Sequence, residues 1–136
     1  MGKSVPTIQK YMTTSPHSIG SDQTLITAEK MMTKYGIRHL PVLEGGNLKG
    51  IITDRDIKFL KGFESMDPKS VKLSDISINE VFTVEPHSLL DEVCDVMAEN
   101  KYGSAIVMDN NKLVGIFTWV DALRAMSELL KTRLTH

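Results

Sequence analysis

Cysteine and tryptophan each occur once in these 136 residues, and aromatic side chains make up only 6% of them. A lone Cys94 cannot form an internal disulfide, so no disulfide framework is expected and a reducing, cytoplasmic setting is. No apolar run approaches the roughly 20 residues needed to span a bilayer. The amino terminus, Met1-Gly2-Lys3-Ser4-Val5-Pro6, lacks the apolar stretch of a secretory signal, and Pro6 stands where a myristoylation string would carry Ser or Thr. A formal net charge of −1 removes the bulk electrostatic case for nucleic acid, which needs a basic face. His17, His39, His87 and His136 are scattered without metal-ligand spacing. Nothing spells out a nucleophile, base and acid, so neither catalysis nor a required cofactor is expected.

What the chain does have is a repeat. Gly50-Ile51-Ile52-Thr53-Asp54-Arg55-Asp56 returns as Gly115-Ile116-Phe117-Thr118-Trp119-Val120-Asp121, 65 residues later. The same shift, without a gap, sets Leu25 on Leu90, Met32 on Met97, Val42 on Val107 and Leu48 on Leu113. Two copies of one supersecondary unit are implied.

Within the first copy, Pro6 to Met12 reads as a short leading helix closed by Thr13-Thr14-Ser15-Pro16. Thr24 suits an N-cap for a helix that carries Leu25, Ala28, Met32 and Tyr35 on one stripe and stops at Gly36. His39 to Leu43 and Lys49 to Thr53 read as a hairpin around Gly45-Gly46, and Asp54 opens a helix to about Lys61. With a short strand around Ser18-Ile19, the order is strand, helix, strand, strand, helix. In the second copy Phe82-Thr83-Val84 is the first strand, Ser88 the helix cap, and Asp109-Asn110-Asn111-Lys112 the hairpin turn. Its last helix runs from about Trp119 into the 130s. The expected division is a first motif over 1–62, a polar linker over 63–72 and a second motif over 73–136. One such unit has too little helix to cover both faces of its sheet. An α/β fold with the copies packed around a pseudo-two-fold axis, and a cleft between their sheets, follows.

Gly36 to Val42, Leu48 to Asp56 and Leu113 to Asp121 resemble the CBS domain pair, also called a Bateman module, over roughly Val5 to Ala125. Two Gly-x-x-Thr-x-x-Asp strings at a fixed shift, each after the same helix and hairpin, carry the resemblance. It implies a stand-alone regulatory module that binds AMP, ADP, ATP or S-adenosylmethionine and forms a homodimer, a flat disc of four motifs.

The residues suit such a ligand. Asp56, in the first turn after a strand, offers a carboxylate to the two hydroxyls of a ribose. Thr53 and the free N–H groups of that helix start suit a phosphate oxygen. The plainer reading is that Thr53 and Asp56 cap their helix. By the resemblance, Arg38 and His39 face the ligand's phosphates, Arg38 as a permanent cationic fork and His39 as a pH-dependent donor; the plainer readings are a solvated arginine and a half-buried strand histidine. The second copy keeps Thr118 and Asp121 but has Gly103 and Ser104 in place of Arg38 and His39, so its site is the poorer one for a charged nucleotide. The resemblance has the opposite copy wall the adenine, which places Ser77, Val81, Phe82 and Tyr102 by Asp56, and Met12, Pro16, His17 and Ile37 by Asp121. Core packing is the alternative for these.

Cys94 sits beside an apolar stripe, and Asp91, Glu92 and Asp95 read as a solvated helix face. Val120, Leu123, Met126, Leu130 and Leu134 recur at helical spacing; the plainer reading is packing within the chain, the other a partner surface for a separate protein or, by the resemblance, a second copy of the chain. The functional expectation is an adenine-nucleotide sensor that passes occupancy to an unidentified regulated protein. The alternative is a non-catalytic dimerisation or interaction module with empty clefts. Neither a membrane nor a nucleic acid is an expected partner.

Overall fold

The computed structural model describes residues 4–76 and 81–134. Along the chain lie α1 (Ile8–Tyr11), β1 (Thr13–Thr14), β2 (Ile19–Gly20), α2 (Leu25–Tyr35), β3 (His39–Glu44), β4 (Asn47–Thr53) and α3 (Asp54–Lys61). After a short 3₁₀ turn, Leu73–Asp75, come β5 (Thr83–Val84), α4 (Leu90–Asn100), β6 (Ser104–Asp109), β7 (Lys112–Thr118) and α5 (Trp119–Arg133). They form two compact units, one from residues 17–81 and the other from residues 1–16 together with 82–136.

In the continuous unit β2 runs parallel to β3, and β3 pairs antiparallel with β4, in the order β2-β3-β4. The discontinuous unit has the same arrangement, with β1 added along β7, in the order β1-β7-β6-β5. The repeat survives at the level of register. His39 faces Thr53 as Ser104 faces Thr118, and both hairpins slip by a bulge at the same place, Val42/Leu43 and Val107/Met108.

Local chemistry accounts for the elements. Thr24 caps α2, its hydroxyl accepting from Thr27 N at 3.4 Å, and α2 buries Leu25, Ala28 and Met32. Ser88 does not cap α4, contrary to the sequence expectation. The N-cap position is Leu89, and the Ser88 hydroxyl instead accepts from Glu85 N at 3.1 Å, closing the preceding turn. The acidic pair Asp91 and Glu92 in the first turn favours the α4 amino end in place of a cap. Both hairpin turns need left-handed backbone at two successive residues. Gly45 and Gly46 supply it in one (φ +58° and +83°), Asn110 and Asn111 in the other (φ +50° and +64°).

Residues before each repeat's first strand are bonded to the other repeat's first helix. Ile8 N donates to Ser88 O (2.8 Å) and Leu90 N to Pro6 O (2.9 Å). Leu73 N donates likewise to Gln23 O (2.9 Å) and Leu25 N to Val71 O (3.0 Å), the same bonds moved along the chain by one repeat. Ile8 and Leu73, both fully buried, anchor these segments.

Each unit has its own core. In the continuous unit Leu25, Met32, Leu40, Val42, Ile52 and Ile57 cluster, and in the other Leu90, Met97, Ala105, Val107, Phe117 and Ala125 do. The facing pair Leu40 and Ile52 becomes Ala105 and Phe117, so a side chain lost on one strand is regained on its partner.

The helix ends generate a paired prediction. Gly36 (φ +63°) ends α2 and Lys101 (φ +59°) ends α4 in the same left-handed conformation. Gly36→Ala should lower stability by about 1 kcal/mol and Lys101→Gly should raise it by about as much. Urea unfolding midpoints check both; effects of equal sign would rule this account out.

Candidate functional site

A helix that begins on the last residue of a strand must find partners for its first N–H groups. In the first repeat Asp56 Oδ2 accepts from Thr53 N at 2.9 Å and Thr53 Oγ1 accepts from Asp56 N at 3.2 Å, a reciprocal capping box. Both side chains are half-buried. The helix-capping role read in the sequence is therefore present, and it holds the carboxylate in a fixed place.

Across the ladder from Thr53 stands His39, and Asp54 N donates to Arg38 O at 3.0 Å, which ties the start of β3 to the start of α3. The structure thus brings Arg38, His39, Thr53 and Asp56 to one end of one sheet. Arg38 is exposed and His39 half-buried. Burial pushes the His39 pKa below its usual 6.5, with Arg38 adding to the drop and Asp54 and Asp56 opposing it. An open groove of about 410 Å³ between α2 and α3 is lined by Ile37, Arg38, Asp54 and Lys58 among others. Ile37, expected by Asp121, lines this groove in the continuous unit.

The second repeat builds the turn differently. Asp121 Oδ2 accepts from Thr118 N (2.9 Å) and from Thr118 Oγ1 (3.2 Å), while its Oδ1 accepts from Thr13 Oγ1 (3.1 Å). Asp121 is 6% exposed. Thr13 was not among the residues singled out from the sequence, where it reads as a loop residue closing the leading helix. Met12 lies on the same unit, over Gly115 of β7, where a Cβ would come 2.5 Å from its Sδ.

Phe82 and Tyr102 pair with each other, ring centroids 5.4 Å apart, and Phe82 also packs on the core of the discontinuous unit. His17 stacks on Tyr35 at 3.7 Å. Pro16 and Val81 are half-buried, each at the end of its unit's segment. Ser77 lies outside the described residues. Burial first, then the Asp95 and Asp91 charges, push the Cys94 thiol up, away from nucleophilic use. Among the described residues no group of three His, Cys, Asp or Glu side chains could hold a metal, and no helix is long and apolar enough to cross a membrane.

Comparison with known proteins finds the family model described as CBS domain over residues 8–60 and 73–128. The chain is 30% identical over 121 residues to the CBS domain-containing protein YhcV of Bacillus subtilis (strain 168), covering 88% of this chain and 86% of that protein. A solved Vibrio cholerae protein named for acetoin utilization, AcuB, superposes with a TM-score of 0.84 at 27% identity, over 98% of this chain and 99% of that one. The CBS domain pair of protein MJ0100, crystallised with 5′-methylthioadenosine and S-adenosyl-L-methionine, superposes with a TM-score of 0.81 at 24% identity, over 92% of this chain and 98% of that one.

The buried imidazole sets a pH dependence. Folding disfavours the charged form of His39, whereas the unfolded chain takes up its proton at the ordinary value. Stability from this residue is therefore intact above the unfolded pKa and is lost as pH falls through 6.5 towards the lowered folded value. Urea midpoints at about pH 7.5 and about pH 5.5 should separate more in the wild type than in His39→Gln. An identical separation would remove His39 as the cause.

Proposed function

The chain belongs to the CBS domain family, and from that premise we propose that it is a cytoplasmic regulatory module. It binds an adenosine-containing ligand and passes occupancy to a partner protein through a change in how its two motifs pack. Such transmission requires a ligand that prefers one packing over another. The observation that carries the reading is the end of the first repeat's sheet, where a capped Asp56 carboxylate stands with Thr53, Arg38 and His39.

In this reading Asp56 accepts the ribose hydroxyls, the Thr53 hydroxyl at the α3 start donates to a phosphate oxygen, and Arg38 and His39 supply positive charge and a further donor. Ser77, Val81, Phe82 and Tyr102 wall the adenine. Thr118 and Asp121, with Met12, Pro16, His17 and Ile37, form the second and weaker site. The open Arg38, free to turn towards a phosphate, favours AMP, ADP or ATP, with S-adenosylmethionine as a further candidate.

The partner expected of the module is first of all its own second copy. Trp119, Leu123, Met126, Leu130 and Leu134 form an exposed apolar row along α5, which continues past the length of α3. A row of that size on a helix face is the kind of surface a homodimer covers. Leu130→Glu should shift the sedimentation coefficient of the purified protein from dimer to monomer and leave its circular dichroism unchanged. A wild type that sediments as a monomer at high concentration would end the dimer reading.

Thermal unfolding against AMP, ADP, ATP, S-adenosylmethionine and a guanosine nucleotide control tests the ligand. At about 100 times its dissociation constant a ligand should add about 2.7 kcal/mol. Asp56→Ala should weaken binding by about 10- to 100-fold, the worth of a hydrogen bond to a charged group, and Asp121→Ala should weaken it less. A flat panel on folded protein would overturn the sensor and favour the interaction module.

A further inference from the structure

Between the two repeats, two outward positions of one helix change sign. Moving along the chain by 65 residues turns Lys30 into Asp95 and Lys34 into Glu99, and all four side chains are exposed. In each helix the two stand one turn apart, opposite the buried stripe of Leu25, Ala28 and Met32 in α2 and of Leu90, Val93 and Met97 in α4. Among the described residues no salt bridge takes up any of the four. Lys34 only overhangs the ring of Tyr35, 5.2 Å from its centroid.

The stability of α4 does not account for its share of this charge. Glu99 stands in the last turn, where the helix dipole disfavours a negative side chain. With Asp91 and Glu92 also exposed, α4 carries four acidic side chains and no basic one. On α2 the balance is reversed. Its one acid, Glu29, is already answered by Lys61 of α3 at 2.9 Å, which leaves Lys30 and Lys34 as surplus positive charge, with Arg55 and Lys58 exposed on α3. The exposed pair Arg124 and Glu128 of α5 offset each other.

Apolar surface fits like against like as readily as like against unlike. The exposed row of α5, and Phe59 and Phe63 of α3 with their rings 5.3 Å apart, therefore leave the orientation of a dimer open. Charge does not. A dimer that set each repeat against its own counterpart would bring lysines to lysines and acids to acids. One that set first repeat against second would oppose Lys30 and Lys34 to the partner's Asp95 and Glu99, and a two-fold axis would make that contact twice.

We propose that two copies of this chain associate head to tail, the α2–α3 face of each against the α4–α5 face of the other, and that the change of sign between the repeats fixes this orientation. The proposal rests on the dimer reading above. Exposed ion pairs add little one by one; their effect here lies in what the opposite orientation would cost.

Sedimentation equilibrium decides, with circular dichroism as the check on folding. The wild-type dimer should weaken by at least about tenfold between about 50 mM and about 500 mM sodium chloride, as salt screens the attraction between unlike faces. Lys30→Glu with Lys34→Glu should weaken the low-salt dimer by at least about tenfold. Adding Asp95→Lys and Glu99→Lys to that variant exchanges the two signs and should restore the wild-type strength. A head-to-head dimer behaves otherwise: salt tightens it, and all three proteins associate alike because each keeps like charges together. That result would overturn the proposal. Indifference to both salt and substitution would put the charges outside the interface and overturn it too. Either outcome leaves the dimer standing, whereas a wild type that is monomeric at high concentration ends the dimer reading and the orientation with it. Should the fourfold variant fail to fold, the direction of the wild-type salt dependence and the double variant still decide.

Discussion

A strand that passes straight into a helix leaves amide groups pointing at nothing, and both repeats of this chain answer with an aspartate on the third helical residue. Thr53 N and Thr118 N each reach a carboxylate oxygen at 2.9 Å. That bond fixes where β4 and β7 stop, and through the ladder it fixes the residues opposite, His39 and Ser104. A carboxylate held this way is in position before any ligand arrives, which spares a binding event the cost of ordering it. Helix capping and ligand recognition are therefore not competing explanations of the same residue. In the proposed reading the first prepares the second.

The two repeats have diverged under different rules in the core and at the strand ends. Replacing the facing pair Leu40 and Ile52 by Ala105 and Phe117 shrinks one side chain and enlarges the one opposite, as two side chains that share one closely packed space require. At the strand ends nothing compensates. Arg38 and His39 give way to Gly103 and Ser104, and Asp54 and Arg55 to Trp119 and Val120, so charge is lost and apolar surface gained. A core substitution that is not answered costs stability, whereas an unanswered change at an exposed strand end changes only what that end can hold. The strand ends are free to differ while the scaffold is not.

The helices, the hairpins and the repeat were legible because each leaves a local signature: apolar stripes at helical spacing, paired glycines or asparagines at the turns, and one fixed shift. Thr53 and Asp56 were legible for the same reason. Ser88 misled because a serine just ahead of an apolar stripe looks like a cap, and only the backbone decides whether it closes the turn before the helix or the helix itself. The pairing of β1 with β7 left no trace in the sequence. Two exposed threonines show no alternation, and a partner more than a hundred residues away imposes no local pattern. Thr13 was missed with it, whereas Met12 entered through family resemblance.

The leading segment also sets an order of events. Residues 17–81 form a continuous unit, but Thr13 finds Asp121 only across a separation of 108 positions. On a ribosome the continuous unit is complete before any part of β7 exists, and domains assemble as units in the order they emerge. The leading segment thus docks late, onto a hairpin that has already formed, after a loop closure whose cost grows only slowly with length. The hydroxyl on Asp121 is in that sense a completion mark. It is in place only on a molecule in which β1 has met β7 and α5 has begun.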